Sequence, residues 1–148
     1  MSLFEYAAAL LDEARVRLES AKIFLERGNY SYVVRQSQEC VELSLKAALR
    51  VAGIEYPKQH EASDLLIEKK GLYPAWFARE LVEVSRISKE LVRKRMPSMY
   101  GEETLGKPPR SLFGQDDAES STRDAGYVFK LVERLLSEWK TGTGAVKN

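Results

Sequence analysis

Basic residues are concentrated between positions 86 and 110 of this sequence, and their side chains are of the kind that bind phosphate oxygens. Arg86, Lys89 and Arg93 follow one another at helical spacing, so they share one face of a predicted helix. Further positive charge follows at Lys94, Arg95, Lys107 and Arg110. This cluster is a candidate site for the phosphate groups of a nucleotide or RNA. The alternative is a solvated charged face without a ligand.

Two aromatic residues of the same stretch, Tyr100 and Phe113, could stack on a base, as aromatic side chains do in proteins that bind single strands. The whole chain has a formal net charge of only +1 at neutral pH. A protein that binds nucleic acid strongly is usually more basic overall. Any role in binding nucleic acid must therefore come from this local cluster.

A second pattern lies in an apolar-periodic segment nearer the start of the chain. Gln38, Glu42 and Lys46 recur at every fourth position and therefore share one face of a helix. Glu42 precedes Lys46, which is the favourable order for an ion pair between helical residues, contributing about 0.3–0.5 kcal/mol when exposed. The alternative interpretation is a solvated charged edge.

Several common classes of catalytic site are absent from the sequence. His60 is the only histidine and Cys40 the only cysteine, so the chain lacks the ligand spacing of a zinc site. No glycine-rich phosphate loop and no nucleophile-elbow motif is present. We therefore expect neither a metal nor a cofactor. For His60 we favour a structural, hydrogen-bonding role over catalysis, and for Cys40 a buried packing role over a reactive thiol.

The periodicity predicts an all-α fold, an up-and-down bundle of four long helices and one short helix. The first helix begins at a capping box formed by Ser2 and Glu5 and ends before Gly28. The remaining helices are predicted over about 30–51, 60–70, 74–97 and 116–140, the last with Asp116 and Glu119 as its capping pair. The region between Pro97 and Asp116 is predicted to be one long irregular loop.

We expect one domain over residues 1–140 and a flexible C-terminal tail over 141–148. The sequence has neither a signal peptide nor an apolar run of about 20 residues, so we expect a cytoplasmic protein that does not enter the membrane. A charged fraction of 30% and few amide side chains fit a thermophilic source. Trp76, Phe77 and Trp139 are expected in the core or in a dimer interface.

Taken in order, the motifs of residues 28–66 resemble those of the HEPN family (higher eukaryotes and prokaryotes nucleotide-binding). Gly28 and Tyr30 correspond to the Gly-x-Tyr that begins the second helix of the family. The later matches are Gln38, Glu42, Lys46 and Ala47 in that helix, then Pro57, His60, Leu65 and Leu66 after it. The resemblance implies a helical bundle that pairs as a homodimer. It also implies a small nucleotidyltransferase as partner in a toxin–antitoxin-like module.

Several members of this family are metal-independent ribonucleases, whose active motif is an Arg followed, after four to six residues, by a His. In this chain Tyr100 stands where the His is expected, with four residues between it and Arg95 and six between it and Arg93. Arg95 could supply a cation for the phosphate, whereas a tyrosine hydroxyl is ordinarily a poor base at neutral pH. In some family members a tyrosine of this motif receives a nucleotidyl group from the partner, which makes Tyr100 a candidate acceptor.

The sequence leaves three hypotheses open. The first is a nucleotide- or RNA-binding HEPN homodimer that acts with a nucleotidyltransferase. The second is a metal-independent endoribonuclease that uses Arg95 and Tyr100 as a variant catalytic motif. The third is a structural or regulatory protein that binds a protein partner and no ligand of its own.

Overall fold

The fold is all-α, as predicted. The computed structural model describes residues 1–56, 58 and 61–140. The six α-helices of this part of the chain are α1 (Leu3–Glu26), α2 (Tyr30–Val51), α3 (Ala62–Glu68), α4 (Ala75–Ala78), α5 (Leu81–Tyr100) and α6 (Gln115–Lys140). Short 3-10 turns lie at Lys70–Leu72, Glu103–Leu105 and Pro109–Ser111. His60 and the predicted tail lie outside the described residues.

The beginning of α1 is set by the predicted capping box. The Glu5 backbone N–H donates to Ser2 Oγ at 3.0 Å, and the Ser2 backbone N–H donates to Glu5 Oε1 at 3.1 Å. Two otherwise unpaired backbone donors are satisfied in this way. Gly28 adopts a positive φ in the short connection to α2, so α1 and α2 form an antiparallel hairpin.

Helix α2 is the central element and packs against α1, α5 and α6. Its sequence allows this because buried apolar side chains alternate with small buried ones that let neighbouring helices approach closely. The buried residues of α2 include Val34, Ser37, Val41, Ser44, Leu45, Ala48 and Leu49. Cys40 is fully buried, and burial raises the pKa of its thiol to about 12. The packing role predicted for Cys40 is therefore confirmed.

The predicted fourth helix is divided into α4 and α5. Between them the Glu80 N–H bonds to the Phe77 carbonyl only three residues back, which tightens the chain into a turn. Phe77, which was predicted to lie in the core or in a dimer interface, is buried in the core. Trp76 and Trp139 are half-buried against the same core. Val92 of α5 is 48% exposed.

Helix α5 continues through Pro97, where the sequence predicted its end. A proline removes the N–H that would bond to the carbonyl four residues earlier. Here that carbonyl belongs to Arg93, an exposed residue, so water can take the place of the lost donor. The last turn is also held by the Ser98 hydroxyl, which donates to the Arg95 carbonyl at 2.6 Å. The helix therefore ends at Tyr100.

The segment after α5 is shorter and more ordered than the predicted loop. Gly101 follows α5 with φ 73°, and its backbone lies so close to the next segment that a Cβ would stand 2.0 Å from the Lys107 carbonyl oxygen. Glu102 and Lys107 exchange two backbone hydrogen bonds of 2.8 and 3.0 Å. Asp117, rather than the predicted Asp116, makes the hydrogen bond at the start of α6, accepting from the Gly114 N–H at 2.9 Å.

Candidate phosphate-binding cleft

A cleft of about 300 Å³ opens between α2, α5 and the beginning of α3. Its polar lining consists of Gln38, Glu42, Lys58, Glu61, Ser88 and Arg95, with Tyr56 on one wall. The structure thus brings the predicted motif of α2 together with one of the predicted cations of α5. The sequence could not predict this contact between α2 and α5, because residue spacing does not show which face of α5 is turned toward α2.

Arg95 crosses from α5 to α2. Its Nη1 donates to Gln38 Oε1 at 2.6 Å and to Glu39 Oε2 at 3.3 Å. A guanidinium has five N–H donors, and the Nε and Nη2 donors of Arg95 have no acceptor among the described residues. The side chain is 37% exposed. One nitrogen therefore anchors the group while the rest can bind an oxyanion.

Glu42 connects Gln38 to Lys46 at the edge of the cleft. Gln38 Nε2 donates to Glu42 Oε1, and Lys46 Nζ donates to Glu42 Oε2, both at 3.1 Å. Burial opposes ionisation of Glu42, but these two hydrogen bonds and the charges of Lys46 and Arg95 outweigh it. They hold the pKa of Glu42 below its usual range. The predicted Glu42–Lys46 ion pair is present, and it belongs to a chain of contacts that reaches Arg95.

Glu61 is a second carboxylate of the cleft. It caps α3, accepting from the Ser63 N–H at 2.9 Å and the Asp64 N–H at 3.3 Å. The hydroxyls of Ser63 and Ser88 also donate to it. Glutamate is an unusual residue at this capping position, so no sequence signal pointed to it. Both of its carboxylate oxygens already accept hydrogen bonds from other residues of the chain.

Tyr56 forms an aromatic wall between this cleft and the neighbouring surface of α2. Lys46 Nζ lies 4.8 Å from the centre of its ring. Burial, together with the negative charges of Glu42 and Glu61, raises the pKa of the Tyr56 hydroxyl. The hydroxyl therefore stays protonated at neutral pH and can act as a hydrogen-bond donor.

None of the other predicted cations lines the cleft with Arg95. Residues 93 and 95 differ by about 200° around a helix axis, so Arg93 lies on the opposite face of α5. Three of these cations form ion pairs with carboxylates of the same chain: Arg86 with Glu83 at 2.7 Å, Lys89 with Asp64 at 3.0 Å and Lys94 with Glu90 at 3.2 Å. Arg93, Lys107 and Arg110 are exposed, and no carboxylate of the described residues lies within 4.0 Å of them.

Arg95 and Tyr100 lie on different faces of α5. Tyr100 is five positions after Arg95, which corresponds to about 140° around the axis and about 7.5 Å along it. Tyr100 is 53% exposed. Phe113, the other predicted stacking residue, is half-buried in the segment before α6. Within one protomer the two residues of the variant motif therefore do not form a joint site.

No group of His, Cys, Asp and Glu suited to a metal ion occurs among residues 1–56, 58 and 61–140. In the same part of the chain, no helix is long and apolar enough to cross a membrane.

Comparison with known proteins identifies the family. Over 140 residues the chain is 28% identical to the candidate toxin MJ1304 of Methanocaldococcus jannaschii, covering 90% of each chain. TT1696 from Thermus thermophilus has a similar fold (TM-score 0.69, 22% identity), with 86% of this chain and 96% of that one covered. ST0689, an archaeal HEPN homologue, gives a TM-score of 0.66 at 23% identity, with 88% and 97% covered. Residues 7–135 match the HEPN domain. The chain therefore belongs to the HEPN domain family.

Proposed function

We propose that this protein is a toxin-like HEPN module that binds a phosphate group of RNA or of a nucleotide at Arg95. It acts as a homodimer and together with a small nucleotidyltransferase. The observation that carries the proposal is the anchored guanidinium of Arg95, which lines a cleft and keeps unused donors. The name of the similar protein MJ1304, a candidate toxin, supports the toxin-like role.

The anchoring of Arg95 favours binding because the guanidinium is held in place before a ligand arrives. An arginine that is already fixed loses less side-chain entropy when it binds a phosphate. Lys58 adds a second cation to the cleft, and the Tyr56 hydroxyl adds a neutral donor. A terminal phosphate fits a cleft of about 300 Å³, and the remainder of an RNA chain would extend onto the surrounding surface.

Cleavage is less well supported than binding, because the cleft lacks a free base. Attack by a ribose 2′-hydroxyl requires a group that accepts its proton. Glu61 is occupied by four donors of the fold. Glu42 is held by Gln38 and Lys46, and the lowered pKa of Glu42 makes it a weak base. The arrangement therefore favours a binding module.

The homodimer is supported by an exposed apolar stripe on α5. Val92, Met96 and Tyr100 follow at every fourth residue, and their exposed fractions are 48%, 60% and 53%. Leu105, in the segment that follows, is 67% exposed. Exposed apolar side chains that share one helix face are typical of a protein interface. We assign this stripe to the homodimer contact.

A specific observation also favours the endoribonuclease as a second candidate. Tyr100 belongs to the exposed stripe, so a dimer formed there would bring the two copies of Tyr100 near the interface. Arg93, exposed on the outer face of α5, could then join Tyr100 in a composite site. The same exposure makes Tyr100 accessible to a nucleotidyltransferase, for which it is the candidate acceptor.

Binding is tested with a fluorescein-labelled oligoribonucleotide and with ATP, measured by anisotropy and by calorimetry. We expect Arg95→Ala to weaken binding by about tenfold or more, and Arg95→Lys to restore only part of it. Arg79→Ala, which removes an exposed arginine that does not line the cleft, is the matched control and should bind as the wild type does. Equal affinities for wild type and Arg95→Ala would refute the assignment of the site.

Cleavage is tested with the same RNA in the presence of EDTA. Cleavage by the wild type that is lost in Tyr100→Phe and in either Arg95→Ala or Arg93→Ala would establish the endoribonuclease. Binding without cleavage would support the binding module. If the protein neither binds nor cleaves the RNA, the hypothesis of a regulatory protein without a ligand of its own is favoured. Intact-mass analysis after co-expression with a nucleotidyltransferase would then test whether Tyr100 is an acceptor.

A further inference from the structure

A groove of about 640 Å³ runs between the second half of α1 and the first half of α6, and it shares no lining residue with the Arg95 cleft. The two helices are antiparallel here, since Arg15 pairs with Glu133 while Ala21 packs in one cluster with Ala118. The groove extends about 16 Å, from Glu119 to Lys130, at 1.5 Å per helical residue.

The floor of the groove is apolar. It is formed by Leu18 and Leu25 of α1 and by Tyr127 of α6. Gly126 lies between them, and a Cβ built on it would meet no other atom within 4 Å. Another helix could therefore approach the backbone of α6 closely at this point.

The rim of the groove is positively charged. Lys22, Arg123 and Lys130 line it, and none has a carboxylate of the described residues within 4.0 Å. Glu119 is the one carboxylate among the lining residues, and it accepts a hydrogen bond from Gln115 Nε2 at 3.2 Å. Three cations against one carboxylate make the groove a surface for an acidic partner with an apolar edge.

The chain itself carries a surface of that chemistry. Along the outer side of α1, Asp12, Val16, Glu19, Ile23 and Glu26 alternate at steps of four and three residues, and all five are exposed. The two apolar members, Val16 and Ile23, are 54% and 52% exposed. The stripe is about 21 Å long, so it is long enough to span the groove of about 16 Å. Asp12 is partly neutralised by Arg15, at 2.6 Å.

We propose that a second copy of this chain docks here, with the acidic stripe of α1 from each copy lying in the groove between α1 and α6 of the other. Val16 and Ile23 would cover the apolar floor, and Glu19 and Glu26 would meet the unpaired cations of the rim. Because stripe and groove adjoin on the same helix, one two-fold axis satisfies both contacts at once.

This contact is separate from the α5 contact of the proposed homodimer and goes beyond it. A protein with both interfaces assembles into pairs of dimers. A single-stranded nucleic acid is a weaker fit to the groove. Tyr127 is the one ring among the lining residues, and its hydroxyl already donates to Glu80.

A charge-swap experiment in a Met96→Glu background, which removes the α5 contact, tests the proposal. The groove variant carries Lys22→Glu with Arg123→Glu, and the stripe variant carries Glu19→Lys with Glu26→Lys. Sedimentation velocity at low salt should show a dimer for the background protein. Each variant alone should lose at least about tenfold in dimer affinity, because its groove and stripe then repel. An equimolar mixture should form a heterodimer, since one contact is restored with exchanged signs and the other pairs the unchanged stripe with the unchanged groove.

The control is Lys69→Glu with Lys70→Glu, two exposed lysines outside the groove, which should leave the dimer unchanged. The proposal is overturned if the Met96→Glu protein is already monomeric at micromolar concentration, or if the mixture fails to form heterodimers. It is also overturned if the groove variant no longer binds labelled RNA but keeps the molecular mass of the Met96→Glu protein. RNA affinity that depends on Arg95 is measured separately, so failure here would leave the proposed function intact.

Discussion

Arg95 of α5 and Gln38 of α2 are joined by a 2.6 Å hydrogen bond across 57 positions of sequence. Gln38 is almost fully buried and uses both ends of its amide, accepting from Arg95 and donating to Glu42. The amide thus fixes a cation and a carboxylate at the edge of the same cleft. Five consequences of this and other features can be measured.

Replacing Gln38 with Ala should lower the free energy of unfolding by about 1–3 kcal/mol, because Arg95 and Glu42 each lose a partner in a partly buried setting. Urea unfolding followed by circular dichroism measures the change. Gln115→Ala, which removes an exposed amide bonded to Glu119, is the control and should stay within about 0.5 kcal/mol of the wild type. Similar values for the two variants would show that the Gln38 contacts contribute little.

Gly101→Ala should destabilise the protein by more than about 1 kcal/mol. Its positive φ disfavours a side chain, and the new Cβ would collide with the Lys107 carbonyl. Gly126→Ala is the matched comparison, since it places a Cβ in open space on α6 and should stabilise by about 0.5–1 kcal/mol. Thermal unfolding of both variants measures the two effects: the midpoint should fall for Gly101→Ala and rise for Gly126→Ala. An unchanged midpoint for Gly101→Ala would contradict the close approach.

Glu42 should make stability depend on pH in the acid range. The pKa of Glu42 is lower in the folded protein than its ordinary value of 4.5. Its contribution is therefore present above about pH 4.5 and lost as the pH falls through the lower folded-state pKa. Denaturant unfolding between neutral pH and pH 3 should give a flatter profile for Glu42→Gln than for the wild type.

The comparison for that profile is Glu103→Gln, which changes an exposed glutamate whose side chain has no partner among the described residues. Its profile should follow the wild type. If Glu42→Gln does the same, the contacts of Glu42 with Gln38 and Lys46 do not stabilise its charged form.

Cys40 should not react with a thiol reagent in the folded protein. It is fully buried, and its pKa of about 12 leaves almost no thiolate at neutral pH. Absorbance after adding a chromogenic disulfide should rise only when denaturant unfolds the chain. Thr104→Cys adds an exposed thiol that should react at once and calibrates the assay. Fast reaction of the wild-type protein would show that α2 opens without global unfolding.

Met96→Glu should lower the molecular mass in solution by a factor of about two, because it places a charge in the exposed stripe assigned to the homodimer. Light scattering at micromolar concentration measures it. Val82→Glu is the control, since Val82 is 80% exposed near the other end of α5. If Val82→Glu dissociates the protein and Met96→Glu does not, the dimer contact lies nearer the beginning of α5.

Local patterns predicted local structure well. The Ser2–Glu5 box and the Glu42–Lys46 pair depend on spacing within one helix, and both are present. The end of α5 at Pro97 was wrong, because an exposed carbonyl can lose its donor at small cost when the next turn is capped. The meeting of Arg95 with Gln38 could not be predicted, since it depends on the rotation of α5 against α2. The role of Glu61 could not be predicted either, since glutamate is an unusual residue at the capping position that it occupies.

The continuation of α5 through Pro97 has a kinetic consequence. Arg95 and Tyr100 belong to one rigid helix, so no loop movement can bring them onto the same face. A reaction that uses both side chains on one substrate would have to draw them from two copies of the chain. Its rate per molecule would then fall on dilution, once the protein concentration drops below the dissociation constant of the dimer.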